Sequence, residues 1–174
     1  MAAREDPAML APLYERYFPR IYAYCLRRVE SEEVAEDLTS LIFTRALTGA
    51  AQFRGGSVAA WLFRIARNAI ANHLRDRRPQ RSLDAAPPGN EPQAPDEPLI
   101  DGLVRAEERE RVARLLAALP DDQRELLTLR IAGELSAKEI GIVVGKSEGA
   151  VRVALHRIVR ALRDAYRHAD EGEV

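Results

Sequence analysis

The chain has 174 residues, enough for one domain or two small ones, and 47% of them are apolar, which excludes wholesale disorder. The formal net charge is −1, and no apolar run of about 18 residues exists that could cross a membrane. The first ten residues, MAAREDPAML, carry acids and a proline where a signal peptide needs a basic and then an apolar run. We therefore expect a cytoplasmic protein with no membrane insertion. The single cysteine, Cys25, excludes an internal disulfide.

Apolar residues recur at helical spacing through most of the first 78 residues, which predicts a series of helices. Pro19 is expected to kink or interrupt the first helical segment. Ser31 is expected to cap the next helix, because its side chain can accept an otherwise unpaired N–H of the first turn. A long helix is predicted from Ser57 to about Arg78, directly after a pair of glycines that breaks the chain.

A proline-rich, acidic segment follows. Residues 79–98 hold six of the ten prolines, which is typical of an extended linker. Residues 82–110 carry eight acids against two arginines, whereas residues 50–81 carry seven arginines against one acid. This separation of charge, hidden in the net value, favours contact between the basic part and a polyanion.

The stretch 135–163 carries the most specific local pattern. Ser136 and Glu139 are spaced as a capping box at the start of a short helix, and Gly145 stands where a helix ends in a left-handed residue. Ser147 can cap a second helix, whose apolar positions leave a row of arginines on another face. The pattern is typical of a helix-turn-helix, whose second helix enters the DNA major groove. Two amphipathic helices of an ordinary bundle with a solvated basic face have the same spacing.

Two further helices are predicted between the linker and this motif. One covers residues 99–119, and the next is expected to be capped by Asp121 or Asp122 and to carry Ile131 among its apolar positions. We predict an all-α fold of two small helical domains joined by a Pro-rich acidic linker. The predicted boundaries are 1–80 for the first domain, 81–106 for the linker and 107–168 for the second domain.

Three ordered segments resemble the bacterial sigma-70 family, in particular its extracytoplasmic-function (ECF) group. LYERYFPRIYAYCLRRV at 13–29 and AEDLTSLIFTRAL at 35–47 resemble the start of region 2, and residues 53–79, with WLFRIARN at 61–68, resemble its promoter-reading part. Residues 115–164 resemble region 4. The resemblance implies a sigma factor that binds core RNA polymerase, carries it to promoter DNA and opens the duplex. Region 2 would read the −10 element and region 4 the −35 element.

The resemblance also implies roles for individual residues. The residues expected to face −35 DNA are Arg152, Val153, His156, Arg157 and Arg160. Those expected to contact the −10 element are Arg54, Trp61, Arg64, Asn68, Arg75, Arg77 and Arg78. The helix expected to dock on the polymerase carries Glu36, Asp37, Leu38 and Phe43. Trp61 and Phe63 are too close in sequence to share one helix face, so one is expected in the core, preferably Trp61, and the other at the surface.

Other functions fit parts of the sequence. A helix-turn-helix regulator acting without polymerase would need only residues 107–168 and leaves 1–80 unexplained. A sigma-like decoy that binds an anti-sigma factor would not need the arginines of 64–81. The histidines are scattered, and no nucleophile–base, metal-ligand or phosphate-loop motif appears, so we expect no enzyme, cofactor or metal site. An anti-sigma factor is the further partner that the resemblance implies. The acidic linker is either a mimic of nucleic acid in the polymerase channel or a solvated tether.

Overall fold

The computed structural model describes residues 7–29, 31–77 and 99–171, with side chains described for 11–29, 31–76 and 108–168. Within these ranges the chain forms seven α-helices, a 3₁₀ turn at Ala50–Gln52 and no strand. The helices are α1 (Pro7–Leu26), α2 (Glu32–Gly49), α3 (Val58–Arg77), α4 (Leu99–Ala117), α5 (Asp121–Ile131), α6 (Ala137–Val144) and α7 (Glu148–Glu171). The predicted all-α fold is confirmed. Arg78 and the proline-rich segment 79–98 lie outside the described residues.

Local side-chain caps define several helix ends as the sequence predicts. The Ser31 hydroxyl accepts the N–H of the residue three positions later, at 3.2 Å, and the Ser147 hydroxyl does the same at the start of α7, also at 3.2 Å. Ser136 and Glu139 form the complete capping box of α6. Gly145, with φ of 72°, ends α6 in the left-handed conformation that a side chain would strain.

Two local predictions are wrong. Helix α1 runs without interruption through Pro12 and Pro19, both of which are exposed and so remove backbone hydrogen bonds without disturbing the buried face. Packing of that face outweighs the cost of about 3 kcal/mol that proline brings to a helix. Helix α5 has no side-chain cap: it follows Pro120, whose fixed φ preorganises the first turn. The expected cap Asp121 instead lies 3.3 Å from the guanidinium of Arg124.

Helices α1, α2 and α3 pack on one another around a first apolar core. Its fully buried side chains include Ile21, Tyr24, Cys25, Ile42, Leu62, Phe63 and Ile70. Burial raises the pKa of the Cys25 thiol to about 11, which keeps the thiol protonated and unreactive at neutral pH. Phe63 is 0% exposed and Trp61 is only half-buried, so the preference for Trp61 as the core residue is wrong. The reason is that Phe63 faces Tyr24, with ring centroids 5.5 Å apart, whereas Trp61 lies at the margin of the core.

The second group of helices, α4 to α7, buries Leu126, Leu129, Leu135, Ile140, Val143, Val151 and Ile158. Helix α4 is held on α7 by the Tyr166 hydroxyl, which donates to Glu108 at 2.9 Å, and by the guanidinium of Arg111 over the Tyr166 ring. Ile131, predicted as an apolar core position, is 62% exposed, because α5 ends there and its last turn points away from α7.

The two groups pack directly against each other along a surface that we call the seam, formed by α1 and α3 on one side and α5, α6 and their connection on the other. Its polar contacts pair Arg67 with Glu125, Arg20 with the carbonyl of Gly133, and Ser57 with Glu139. A Cβ on Gly133 would lie 2.9 Å from the Phe63 ring. Only glycine therefore allows so close an approach of the connection to α3.

Candidate nucleic-acid and polymerase interfaces

Helices α6 and α7 form a tight two-helix unit. Gly145 turns the chain between them, and Ile140 and Val143 of α6 are buried together with Val151 of α7. Gly141 is buried where the turn comes back on the helix, and a Cβ there would lie 2.5 Å from the Lys146 carbonyl oxygen. The close approach fixes how α7 crosses α6, as a helix-turn-helix requires.

The outward face of α7 carries the five residues expected to read −35 DNA. All of them are exposed, and we call them the recognition surface: Arg152, Val153, His156, Arg157 and Arg160. Val151 and Ile158 of the same helix are buried, so α7 presents one apolar and one basic face. The recognition surface lies in the first half of α7, the part of such a helix that meets base edges. Arg152 pairs with Glu148 one turn earlier, and both side chains are open to solvent.

A second basic row lies on α3. Trp61, Arg64, Asn68 and Arg75 follow one another at three-, four- and seven-residue spacing and so share one face of the helix. We call them the α3 stripe. The last three are exposed, and the half-buried Trp61 ring leans on Phe53 with centroids 5.3 Å apart. Positive charge beside an accessible aromatic ring suits a single nucleic-acid strand, because its phosphates and its bases are both bound.

The remaining residues expected at the −10 element are placed less completely. Arg54 is exposed in the connection that precedes α3. Arg77 is the last residue of α3, and its side chain lies outside the described side chains, as does all of Arg78. Their contact with DNA stays a prediction.

The helix expected to dock on polymerase presents two of its four candidate residues to solvent. Glu36 and Asp37 are exposed on α2, whereas Leu38 is 5% and Phe43 6% exposed. The Phe43 ring packs on Tyr14 of α1, with centroids 4.8 Å apart. In this arrangement the two apolar residues hold α2 on the core, and only the two acids are open to a partner.

Sequence reasoning missed the polar residues of the seam. The Arg67 guanidinium donates from Nε to one Glu125 oxygen at 3.0 Å and from Nη2 to the other at 3.2 Å. The Tyr24 hydroxyl lies 3.5 Å from the same carboxylate, and burial together with that charge raises the pKa of Tyr24. One signal was present: Arg67 lies four residues after Phe63 and three before Ile70, inside the apolar face of α3. A charge within an apolar face calls for a buried partner.

Glu139 joins the first turns of two helices across the seam. Its carboxylate accepts the backbone N–H of Ser136 at 2.8 Å and the hydroxyl of Ser57 at 2.7 Å. Partial burial opposes ionisation, but these hydrogen bonds, a further one from the Ser136 hydroxyl and the charge of Arg20 outweigh it and lower the pKa of Glu139. The ionised carboxylate thus links the start of α3 to the start of α6.

Within the described residues, no group of three or more His, Cys, Asp and Glu side chains could hold a metal ion. In the same part of the chain, no helix has the length and apolar content needed to cross a membrane.

Comparison with known proteins decides the family. Residues 13–80 match sigma-70 region 2, and residues 109–162 match sigma-70 region 4. The ECF RNA polymerase sigma factor ShbA of Streptomyces griseus is 31% identical over 171 residues, which cover 93% of this chain and 90% of ShbA. The chain belongs to the ECF sigma factors of the sigma-70 family. The predicted family is confirmed, and both matched regions carry one of the basic surfaces described above.

Other ECF sigma factors are similar over most of the chain. BldN of Streptomyces coelicolor is 36% identical over 159 residues, or 86% of this chain; the chain spans only 57% of the length of BldN. SigW of Bacillus subtilis is 29% identical, with 93% of this chain and 91% of SigW covered. These relatives are named as sigma factors and none as an enzyme.

Two solved sigma factor structures share the fold. CnrH, in complex with the cytosolic domain of CnrY, has a TM-score of 0.66 at 24% identity, covering 95% of this chain and 91% of CnrH. RpoE of Bartonella quintana, in complex with the anti-sigma factor NepR, has a TM-score of 0.69 at 21% identity, covering 89% of this chain and 94% of RpoE. The likeness extends over both helical groups.

Proposed function

We propose that this ECF sigma factor directs core RNA polymerase to specific promoters and opens them, with residues 1–80 acting as region 2 and residues 107–168 as region 4. The observation that supports this most is the presence of two separate exposed basic surfaces, the recognition surface and the α3 stripe, one in each matched region. A helix-turn-helix regulator acting without polymerase would have no use for the second surface.

Region 4 reads the −35 element through the recognition surface. An arginine such as Arg157 can bind a guanine edge with two hydrogen bonds, and the apolar Val153, 51% exposed, suits a thymine methyl group. The tight turn at Gly141 and Gly145 holds α7 in one orientation, so these side chains enter the groove together.

Region 2 reads and opens the −10 element. Arg64 and Arg75 of the α3 stripe bind the phosphates of a separated strand, and Trp61 offers its partly open ring for stacking. The connection 52–60 precedes the stripe and contributes to holding an unstacked −10 base. Unstacking costs a few kcal/mol, which contacts of this kind must repay.

Polymerase docks on α2 through Glu36 and Asp37, which are exposed, while Leu38 and Phe43 keep the helix in place from the core side. The similar sigma factors CnrH and RpoE are described in complexes with CnrY and with the anti-sigma factor NepR. We propose that an anti-sigma factor also binds this chain.

The test measures binding to core polymerase by gel filtration and fluorescence anisotropy, and transcription from a promoter library. The chain is expected to form a complex and to start transcripts at promoters with both elements. Glu36→Gln combined with Asp37→Asn should weaken the complex while the circular dichroism spectrum stays unchanged, because both side chains are exposed. Glu33→Gln, an exposed acid in the first turn of the same helix, is the matched control and should bind normally.

The outcomes separate function from site. A wild-type chain that forms no complex with core polymerase would refute the proposed function. A normal complex with the doubly substituted chain would refute only the docking assignment of Glu36 and Asp37.

A further inference from the structure

The seam brings the two promoter-reading regions into direct contact. The Ser57 hydroxyl in front of α3 donates to Glu139 in the first turn of α6 at 2.7 Å, and α6 leads into α7 within three residues. The α3 stripe and the recognition surface therefore lie on neighbouring helices of one compact unit. Measured along the backbone from Arg64 to Arg157 through this contact, the path is about 55 Å at most, at 1.5 Å per helical and ~3.5 Å per extended residue.

A promoter asks for a larger separation. Elements at −35 and −10 are about 25 base pairs apart, which is about 85 Å of straight duplex at 3.4 Å per base pair. The packed arrangement cannot place both reading surfaces on their elements at the same time. Reading both of them requires the seam to open.

The contacts of the seam suit opening and closing. Arg67 and Glu125 are joined by two parallel hydrogen bonds, with Glu125 9% exposed and Arg67 partly open to solvent. Arg20 adds a hydrogen bond from Nε to the Gly133 carbonyl at 3.1 Å. Groups of this kind regain water when they part, so a polar interface between domains separates more readily than an apolar one.

The charge of Glu125 is also in a telling place. Arg67 lies three residues after Arg64 and next to Asn68, at the edge of the α3 stripe. In the packed arrangement the Glu125 carboxylate occupies this guanidinium in the way that a phosphate of DNA otherwise would. Opening the seam frees one more cation beside the surface that binds the −10 strand.

We infer that the seam is an intramolecular latch, centred on the Arg67–Glu125 pair, which holds the isolated chain in a packed state that cannot engage both promoter elements. Core polymerase or promoter DNA must replace these contacts for the chain to act. The inference rests on the proposed function, since it concerns which conformation of the sigma factor reads a promoter.

The first experiment measures opening without polymerase or DNA. Donor and acceptor dyes are attached to cysteines placed at the exposed positions Ser40 and Lys146, one on each side of the seam, in a chain whose buried Cys25 is replaced by Ala. High energy transfer is expected for the wild type. Glu125→Arg should lower it, because two guanidinium groups then face each other, and adding Arg67→Glu should restore it by exchanging the two charges.

The second experiment measures transcription from a promoter with both elements at limiting core polymerase. Glu125→Gln should raise the yield at least about five-fold, the low end of typical coupling between sites. Asp121→Asn is the matched control: it removes an acid of the same helix whose partner, Arg124, is also on α5, and it should leave the yield unchanged. The comparison separates opening from a simple loss of negative charge near DNA.

Two results would overturn the latch. Energy transfer that stays high in Glu125→Arg would show that the pair does not hold the seam. A transcription yield that is the same for Glu125→Gln and Asp121→Asn would show that the packed state does not limit promoter use. A wild-type chain that binds no core polymerase would overturn the proposed function and the latch's role together, whereas an active chain with unchanged energy transfer overturns the latch alone.

Discussion

Replacing Gly141 by alanine tests how the helix-turn-helix is held together. The new Cβ would lie 2.5 Å from the Lys146 carbonyl oxygen and 3.5 Å from the Glu148 backbone nitrogen. The closest atom belongs to the backbone of the turn between α6 and α7, so no side-chain rotation can relieve the contact. The turn itself has to move by nearly 1 Å, and α7 has to move with it.

The expected cost follows from two opposing effects. Forcing a methyl group into a filled space costs typically 1–3 kcal/mol. Alanine in a helix interior gains about 1 kcal/mol over glycine. The net loss is expected to be about 1–2 kcal/mol, or a fall of about 3–6 °C in the melting temperature for a chain of this size. Affinity for a −35 element should fall further than stability does, because the recognition surface is displaced.

Thermal and urea denaturation followed by circular dichroism measure the stability, and fluorescence anisotropy with a −35 duplex measures binding. Gly149→Ala is the matched control for stability. It lies in the first turn of α7 with nothing within 4 Å of its Cβ, so the substitution should be neutral or stabilising. If Gly141→Ala is as stable as Gly149→Ala, the close approach at Lys146 does not constrain the motif and the reasoning is wrong.

Three further predictions concern single side chains. The lowered pKa of Glu139 means that its ionised form stabilises the fold above the ordinary value of 4.5, and that this stabilisation is lost as the pH falls through the lower folded-state value. The melting temperature of Glu139→Gln should thus lie below that of the wild type at pH 7, and the difference should shrink on acidification; a constant difference would contradict the assignment. Arg157→Ala should cost about 1–3 kcal/mol of −35 binding and relax the preference at one base pair, whereas Arg163→Ala should weaken all sequences alike; equal behaviour of the two in a binding-site selection would rule out a base contact. Arg75→Ala should reduce the salt dependence of promoter binding by about one phosphate contact and leave polymerase binding intact, and an unchanged slope in a salt titration would mean that this arginine is only solvated.

Local features were predictable wherever the deciding partners are close in sequence. The caps at Ser31, Ser136 and Ser147 and the left-handed Gly145 form as expected, because each depends on backbone groups within about four residues. The uninterrupted helix α1 was not predictable in this way. Tolerance of Pro19 depends on the rest of the core holding the helix together.

The same distinction separates the predicted surfaces from the missed ones. Periodicity alone was enough to place arginines such as Arg64 and Arg157 on exposed helix faces, where the structure has them. Periodicity could not show that Arg67, in the same cluster of arginines, turns inward. Its partner Glu125 is 58 positions away, beyond a proline-rich segment that carries no pattern linking them.

By itself, then, the sequence determined the all-α character, the helix-turn-helix and the membership of the ECF sigma factors, since these follow from spacing and short motifs. Only the tertiary structure decided that Phe63 rather than Trp61 is the core residue of α3, and that the two regions meet along a polar seam. The physical reason is that burial depends on what approaches a helix from outside. Gly133 comes close enough to Phe63 to cover it, and no residue near Phe63 in the sequence specifies that approach.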